Sequence, residues 1–344
     1  MSYIDFLTDL AEDLQEKLQS RNRNVDVEIV DVEQPWEWKT GLCVSDGKTV
    51  CPVFYADEQY EYYKAGMNYQ MIVACMAEKV EEALDKVPEK IDLNFRDFRD
   101  TVSMQLVNTE RCEGYLAGKV HREIEDLSII YRLNFDMGRG NHYSTVISQG
   151  MLVLMGLTEE ELHQLAMNRA PFNQPYVIKP LAAMVEELTA EDFTMQKQIN
   201  NPMMILSNED THYGASVIFY PDVLDGCSNV MNGDFYIIPS SIHECLLYPD
   251  NGNLTLKELK TIVKDVNDSI LDPRELLSYN VYHYDHKEKI FELGEKYEER
   301  MKAKERQSLM GNLEAKKYGM VRDGHLRRNQ DIGSRKIQGG SLCL

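Results

Sequence analysis

Two short stretches of the chain gather the residue types of acid–base and nucleophilic chemistry. The first is Pro239-Ser240-Ser241-Ile242-His243-Glu244, where hydroxyls, an imidazole and a carboxylate stand side by side. Ser241, His243 and Glu244 are the types from which an activated hydroxyl nucleophile is assembled. Their adjacency works against a ready-made triad. On a continuous strand Ser241 and His243 share one face and Glu244 faces away, whereas working triads draw partners from separate segments. The glycine-framed elbow that presents a serine nucleophile is missing. The alternative reading is that the serines satisfy turn backbone and His243 bonds a neighbouring carbonyl.

The second stretch is Asn208 with Asp210, His212, Tyr213 and Gly214. Asp and His could bind a metal, and Asn208, His212 and Tyr213 could orient a ligand. The competing reading is turn chemistry, with Asn and Asp bonding local backbone and glycine supplying a positive φ. Convergence of His212 on His243 would favour a site. A third cluster, His283-Tyr284-Asp285-His286, has close His and Asp spacing. It lacks the helical His-Glu-x-x-His pattern, and the chain has no Cys-x-x-Cys pair, so it reads as an exposed strand end. His121, His142 and His163 read as surface residues. Gly138-x-Gly140 lacks the rest of a dinucleotide fingerprint and no Gly-Lys-Ser/Thr phosphate loop occurs, so no cofactor and no metal is expected.

These stretches must be placed by regular elements. Apolar runs at 235–238 and 245–248 make residues 239–244 the loop of a β-hairpin, and strands at 203–207 and 215–220 flank the second stretch. Ser2 caps a first helix to about Gln19, with Phe6, Leu7, Leu10, Leu14 and Leu18 at helical spacing. A strand follows from Val25, then a hairpin over 39–55, then helix over 56–87 ending at Pro88. Segment 92–120 is ambiguous and reads as short helices. Strands follow at Leu127–Phe135 and His142–Ser148, joined by a turn with Gly138 and Gly140. Thr158 with Glu161, and Thr255 with Glu258, form capping boxes that open two more helices, the first ended by Pro171 and Pro175. Asp272-Pro273-Arg274-Glu275 opens a short third one, and Val281–Tyr284 reads as a further strand. Helix-rich and hairpin-rich blocks alternate without a βαβ rhythm, which predicts an α+β fold with mixed or antiparallel sheets. The expected division is 1–122, a helix plus small sheet; 123–286, an α+β region; and 287–344, a charged helix with a flexible basic tail.

The run from Phe235 to Asp250 resembles the signature of the family called domain of unknown function 5688. Gly156-Leu157-Thr158-Glu159-Glu160-Glu161-Leu162, and Leu206-Ser207-Asn208 followed by Gly214-Ala215-Ser216, agree with it in order. The resemblance covers about residues 1–286. It implies a bacterial cytosolic protein and points to no cofactor or catalytic residue.

Bulk composition narrows the partners. Residues 287–344 hold 14 basic and 9 acidic side chains, which leaves 23 basic and 48 acidic in the remainder. Such an acidic body repels phosphate backbones, so nucleic acid is unlikely for it and conceivable only for the basic tail. No apolar run is long enough to cross a bilayer, and the N-terminus lacks the basic-then-apolar order of a signal peptide. The seven cysteines read as reduced thiols, Cys43 and Cys51 included. The expected function is a non-enzymatic binding or accessory protein of the cytoplasm, with an unknown protein or small molecule as partner. The alternatives are a hydrolase whose site joins loops 208–214 and 239–244, and nucleic-acid association through the tail.

Overall fold

A computed structural model of the chain describes residues 1–35, 37–47, 51–86, 99–136, 142–182, 203–269 and 271–310. The Gly138/Gly140 turn and the basic tail lie outside these residues. Helix α1 (Tyr3–Ser20) starts at the Ser2–Asp5 capping box and buries its apolar stripe. Strands β1 (Asp26–Glu33), β2 (Trp38–Ser45) and β3 (Val53–Phe54) form an antiparallel sheet. Helices α2 (Asp57–Lys64) and α3 (Tyr69–Lys86) follow, parted at Gly66, whose φ is +91°. Phe6, Leu10 and Leu14 of α1 share a core with Val73, Met76 and Val80 of α3 and with Leu42 and Val44 of β2. Cys43 faces Val53 across the β2–β3 ladder, so Cys51 falls two positions from direct opposition, and both thiols are free.

The stretch expected to form short helices instead carries β4 (Val102–Asn108). Its residues are buried on both faces, so it shows no alternation to read. The short α4 (Glu113–Leu116) and β5 (His121–Ile124) precede the long β6 (Leu127–Asp136). One edge of β6 pairs with β4 along its length. The other edge is shared: its first half takes β5 and its second half takes β7 (His142–Val146). This sheet runs across position 122, the expected boundary between the first two regions.

Helix α5 (Gln149–Met155) ends at left-handed Gly156, and α6 (Glu159–Asn173) starts at the Thr158–Glu161 capping box. The helix passes through Pro171 rather than stopping there. Strands β8 (Tyr176–Pro180) and β9 (Met204–Asn208) lead to residues 214–219. That apolar run was expected to be a strand; it is a buried 3-10 helix, Gly214–Phe219. Short apolar runs carry no period that separates the two. Helix α7 (Val223–Met231), β10 (Phe235–Ile238), β11 (Cys245–Pro249) and α8 (Leu256–Ser269) come next, the last opened by the Thr255–Glu258 box. Asp272–Glu275 makes a single turn rather than a helix. β12 (Tyr282–Asp285) and β13 (Ile290–Leu293) precede a final helix, α9, over 294–310.

The third sheet is antiparallel throughout, in the order β13-β12-β10-β11-β9-β8. Alternation along β10 divides its two faces. Phe235 and Ile237 join the main core with β4, β6 and α6. Tyr236 and Ile238 pack under Leu259 and Val263 of α8. The architecture is therefore α+β with antiparallel sheets. Among the described residues no helix is long and apolar enough to cross a membrane.

Leu106 of β4 is fully buried in the main core. Leu106→Ala should cost about 2–5 kcal/mol in urea unfolding. Thr158→Ala, which removes only a helix cap, should cost about 1 kcal/mol. Equal losses would contradict this placement of β4 in the core.

Candidate functional site

Loops 208–214 and 239–244 are welded together at their backbones. Asn208 closes the first: its Oδ1 accepts from His212 N at 3.1 Å and its Nδ2 donates to His212 O at 2.8 Å. Thr211 and Tyr213 take left-handed backbone (φ 52° and 56°), which turns the chain sharply into Gly214. A Cβ on Gly214 would stand 2.6 Å from Asn208 N and 2.6 Å from His243 O, and closer still to Ser207 Oγ. Only glycine permits that approach. Ser207 Oγ donates to His243 O at 2.8 Å, and Ala215 N donates to Ile242 O at 3.3 Å.

The second loop is a tight turn within the β10–β11 hairpin. Ser241 N donates to Glu244 O at 3.2 Å, and Ser241 Oγ accepts from His243 N at 3.0 Å. A third segment arrives through Ile242 N, which donates to Glu275 O at 2.9 Å. The Asp272–Glu275 turn is itself tied down by Arg111, whose guanidinium donates to the carbonyls of Pro273 and Leu276, both at 3.0 Å.

These backbone contacts aim three rings into one space. The His212 and His243 centroids are 5.5 Å apart. Tyr213 stacks against His243 at 5.9 Å and 13°, and lies 4.0 Å from His212. Tyr213 N donates to His243 Nδ1 at 3.2 Å. In the neutral ring the proton must then sit on Nε2, which faces Glu275 Oε1 at 3.7 Å. Arg132, from β6, holds its guanidinium 4.8 Å from the Tyr213 ring centre. Ser144 Oγ and Gln105 Oε1 fix it there, at 2.7 Å and 2.8 Å.

The rings border a cavity of about 480 Å³, whose opposite wall is built by Glu37, Lys39 and Tyr55 of the N-terminal unit. Tyr115 and the 272–275 turn complete it. Burial, helped by the neighbouring His243 and Arg132, pushes the His212 pKa below the ordinary histidine value, against the pull of Asp210. Burial raises the Tyr115 phenol to about 12, so it stays a hydrogen-bond donor at neutral pH.

Of the residues singled out in the sequence, His212, Tyr213 and His243 line the cavity. Asn208 and Ser241 stand behind it, engaged with backbone. Glu244 lies off the lining, and burial raises its pKa. Sequence reasoning missed Arg132, and it read Asp272–Glu275 as the start of a helix rather than as a wall of the site. A lone arginine inside the apolar run Ile129-Ile130-Tyr131-Arg132-Leu133 was the available signal for the former.

Two histidine readings need correction. His163 is buried and bonds the Tyr131 hydroxyl at 2.9 Å. His283 is no exposed strand end: it is fully buried, 3.2 Å from Asp250 Oδ2, with Tyr297 of α9 stacked at 3.4 Å. Among the described residues no three His, Cys, Asp or Glu side chains are grouped to hold a metal ion.

A family model described as a family of unknown function (DUF5688) matches residues 3–286. No curated protein and no solved structure matches the chain.

Gly214→Ala should cost about 1–3 kcal/mol through overpacking and should displace the imidazole proton signals of both His212 and His243. Wild-type melting with unshifted imidazoles would show that the close approach does not set the site.

Proposed function

The chain belongs to this family of unknown function, and from that premise we propose that it is a non-enzymatic binding protein of the bacterial cytoplasm that takes a small molecule into the His212–Tyr213–His243 cavity. The observation that carries this reading is how the polar groups are used. Ser241 and Asn208, the side chains best suited to react or to orient a reactant, are engaged with backbone. What faces the space are the rings of Tyr115, His212, Tyr213 and His243 set among a larger number of charged and polar side chains. A volume of about 480 Å³ suits a small organic ligand, and the rings and fixed polar groups around it give such a ligand both contact surface and hydrogen-bond partners.

One observation favours the hydrolase alternative: the two loops do meet, and two imidazoles stand 5.5 Å apart beside a carboxylate. A histidine beside a carboxylate is the general-base half of a triad. The nucleophilic half is weaker. Ser241 Oγ accepts from His243 N and is buried, and among the described residues no hydrogen bond joins it to either imidazole.

The two readings separate by experiment. A fragment screen by thermal shift should yield ligands that stabilise the wild type, by about 2.7 kcal/mol at a hundredfold excess over Kd, and that lose this effect with Tyr213→Ala. p-Nitrophenyl esters and phosphates should turn over no faster than in buffer. Turnover abolished by His243→Ala would replace the binding reading with the hydrolase.

A further inference from the structure

Within the cavity most charges already have opposite partners. Lys39 pairs with Asp57 at 3.2 Å and Arg274 with Asp272 at 2.5 Å. Glu33 is met by Lys119 at 2.6 Å, and Glu275 faces His243. Arg132 differs. Among the described residues its guanidinium meets only neutral acceptors, the Ser144 hydroxyl and carbonyl and the Gln105 amide oxygen. Those contacts use the Nε–H, both Nη2 hydrogens and one Nη1 hydrogen, leaving one Nη1 N–H unspent. The side chain is half-buried, in a chain with 57 acidic and 37 basic residues. Neutral hydrogen bonds fix the direction of the guanidinium without cancelling its charge.

We propose that the cavity's ligand carries an oxyanion, a phosphate or a carboxylate on a small planar body, and that Arg132 binds it with Tyr115 and His212 as supporting donors. This rests on the binding reading of the same cavity. A charge-assisted bond from a positioned arginine is about twice as strong as a neutral one. Tyr115 supplies a neutral phenol donor near Arg132. The face of Tyr213, which the guanidinium covers, keeps the arginine plane oriented. A flat ligand body would lie against the ring of His212.

The assignment carries a pH signature. His212 is faced by His243 and Arg132, both of which disfavour its protonation, and by Asp210, which favours it. A bound anion adds negative charge beside it and raises its pKa in the complex. Protons are then taken up on binding, and affinity rises as pH falls through the interval between the free and bound pKa values.

Calorimetry and imidazole NMR with three probes test this: phenyl phosphate, benzoate and benzyl alcohol, the last a neutral isostere. At least one anionic probe should shift the His212 and His243 signals and bind ten times more tightly than benzyl alcohol, and more tightly at pH 5.5 than at pH 7.5, values placed about one unit either side of the ordinary histidine pKa. The stronger of the two anions identifies the headgroup. Arg132→Gln should weaken it at least tenfold and Arg132→Lys by less, since the charge is kept and the fork lost. If benzyl alcohol shifts the same signals and binds as tightly as the anions, the cavity reading stands and the oxyanion assignment falls. If no probe moves either imidazole at millimolar concentration, both fall.

Discussion

The candidate site depends on a single close approach of backbone. At Gly214 the chain leaving β9 runs so near Ser207, Asn208 and the His243 carbonyl that a methyl group has no room. Two loops that share no sequence neighbourhood are thereby held in fixed register, and the rings that follow from each are brought face to face. The left-handed residues Thr211 and Tyr213 are the local cost of that register, a strain that persists because the surrounding bonds over-determine it. Asn208 and Ser207 supply those bonds from the last two residues of β9, which are paired to β8.

The same logic extends to the third wall. Glu275 sits on a one-turn loop that has no regular structure to hold it, and it is placed by contacts from both ends. Arg111 grips the carbonyls of Pro273 and Leu276. Further on, Asp126 accepts from Ser278 Oγ at 2.6 Å, Asn280 Nδ2 at 3.0 Å and the Tyr282 hydroxyl. The two sheets are thus joined through polar clasps at the margin of a shared apolar core. Hydrogen bonds to a charged group contribute more than neutral ones and orient better, so this margin is stiff as well as stable.

Legibility in the sequence tracked how local the determining force was. The Ser2 cap, the two capping boxes at Thr158 and Thr255, and the amphipathic helices α1, α3 and α8 were readable because a few consecutive residues decide them. The β10–β11 hairpin was readable from two apolar runs around a polar loop. β4 was not, because a strand covered on both faces shows no alternation, and its polar Ser103 and Gln105 are buried with the rest. The 3-10 helix at 214–219 was not, because an apolar run of that length fits either geometry. In the site, His212, Tyr213 and His243 stood out by type, yet only tertiary structure could bring them into one cavity. Arg132 and Glu275 were legible only as oddities, since their partners lie far away in the chain.

The match to the family ends at residue 286, while the six-stranded sheet continues through β13, at residues 290–293. That strand lies along β12 from Tyr282 to Asp285 and occupies its outer N–H and C=O groups. A chain cut at the family boundary would leave β12 as a bare sheet margin next to a His283 stripped of its Tyr297 cover. Unpaired margins of this kind recruit other chains. The short strand and the helix beyond it therefore belong to the folded sheet: they move its free margin from β12 out to β13 and keep His283 covered by Tyr297.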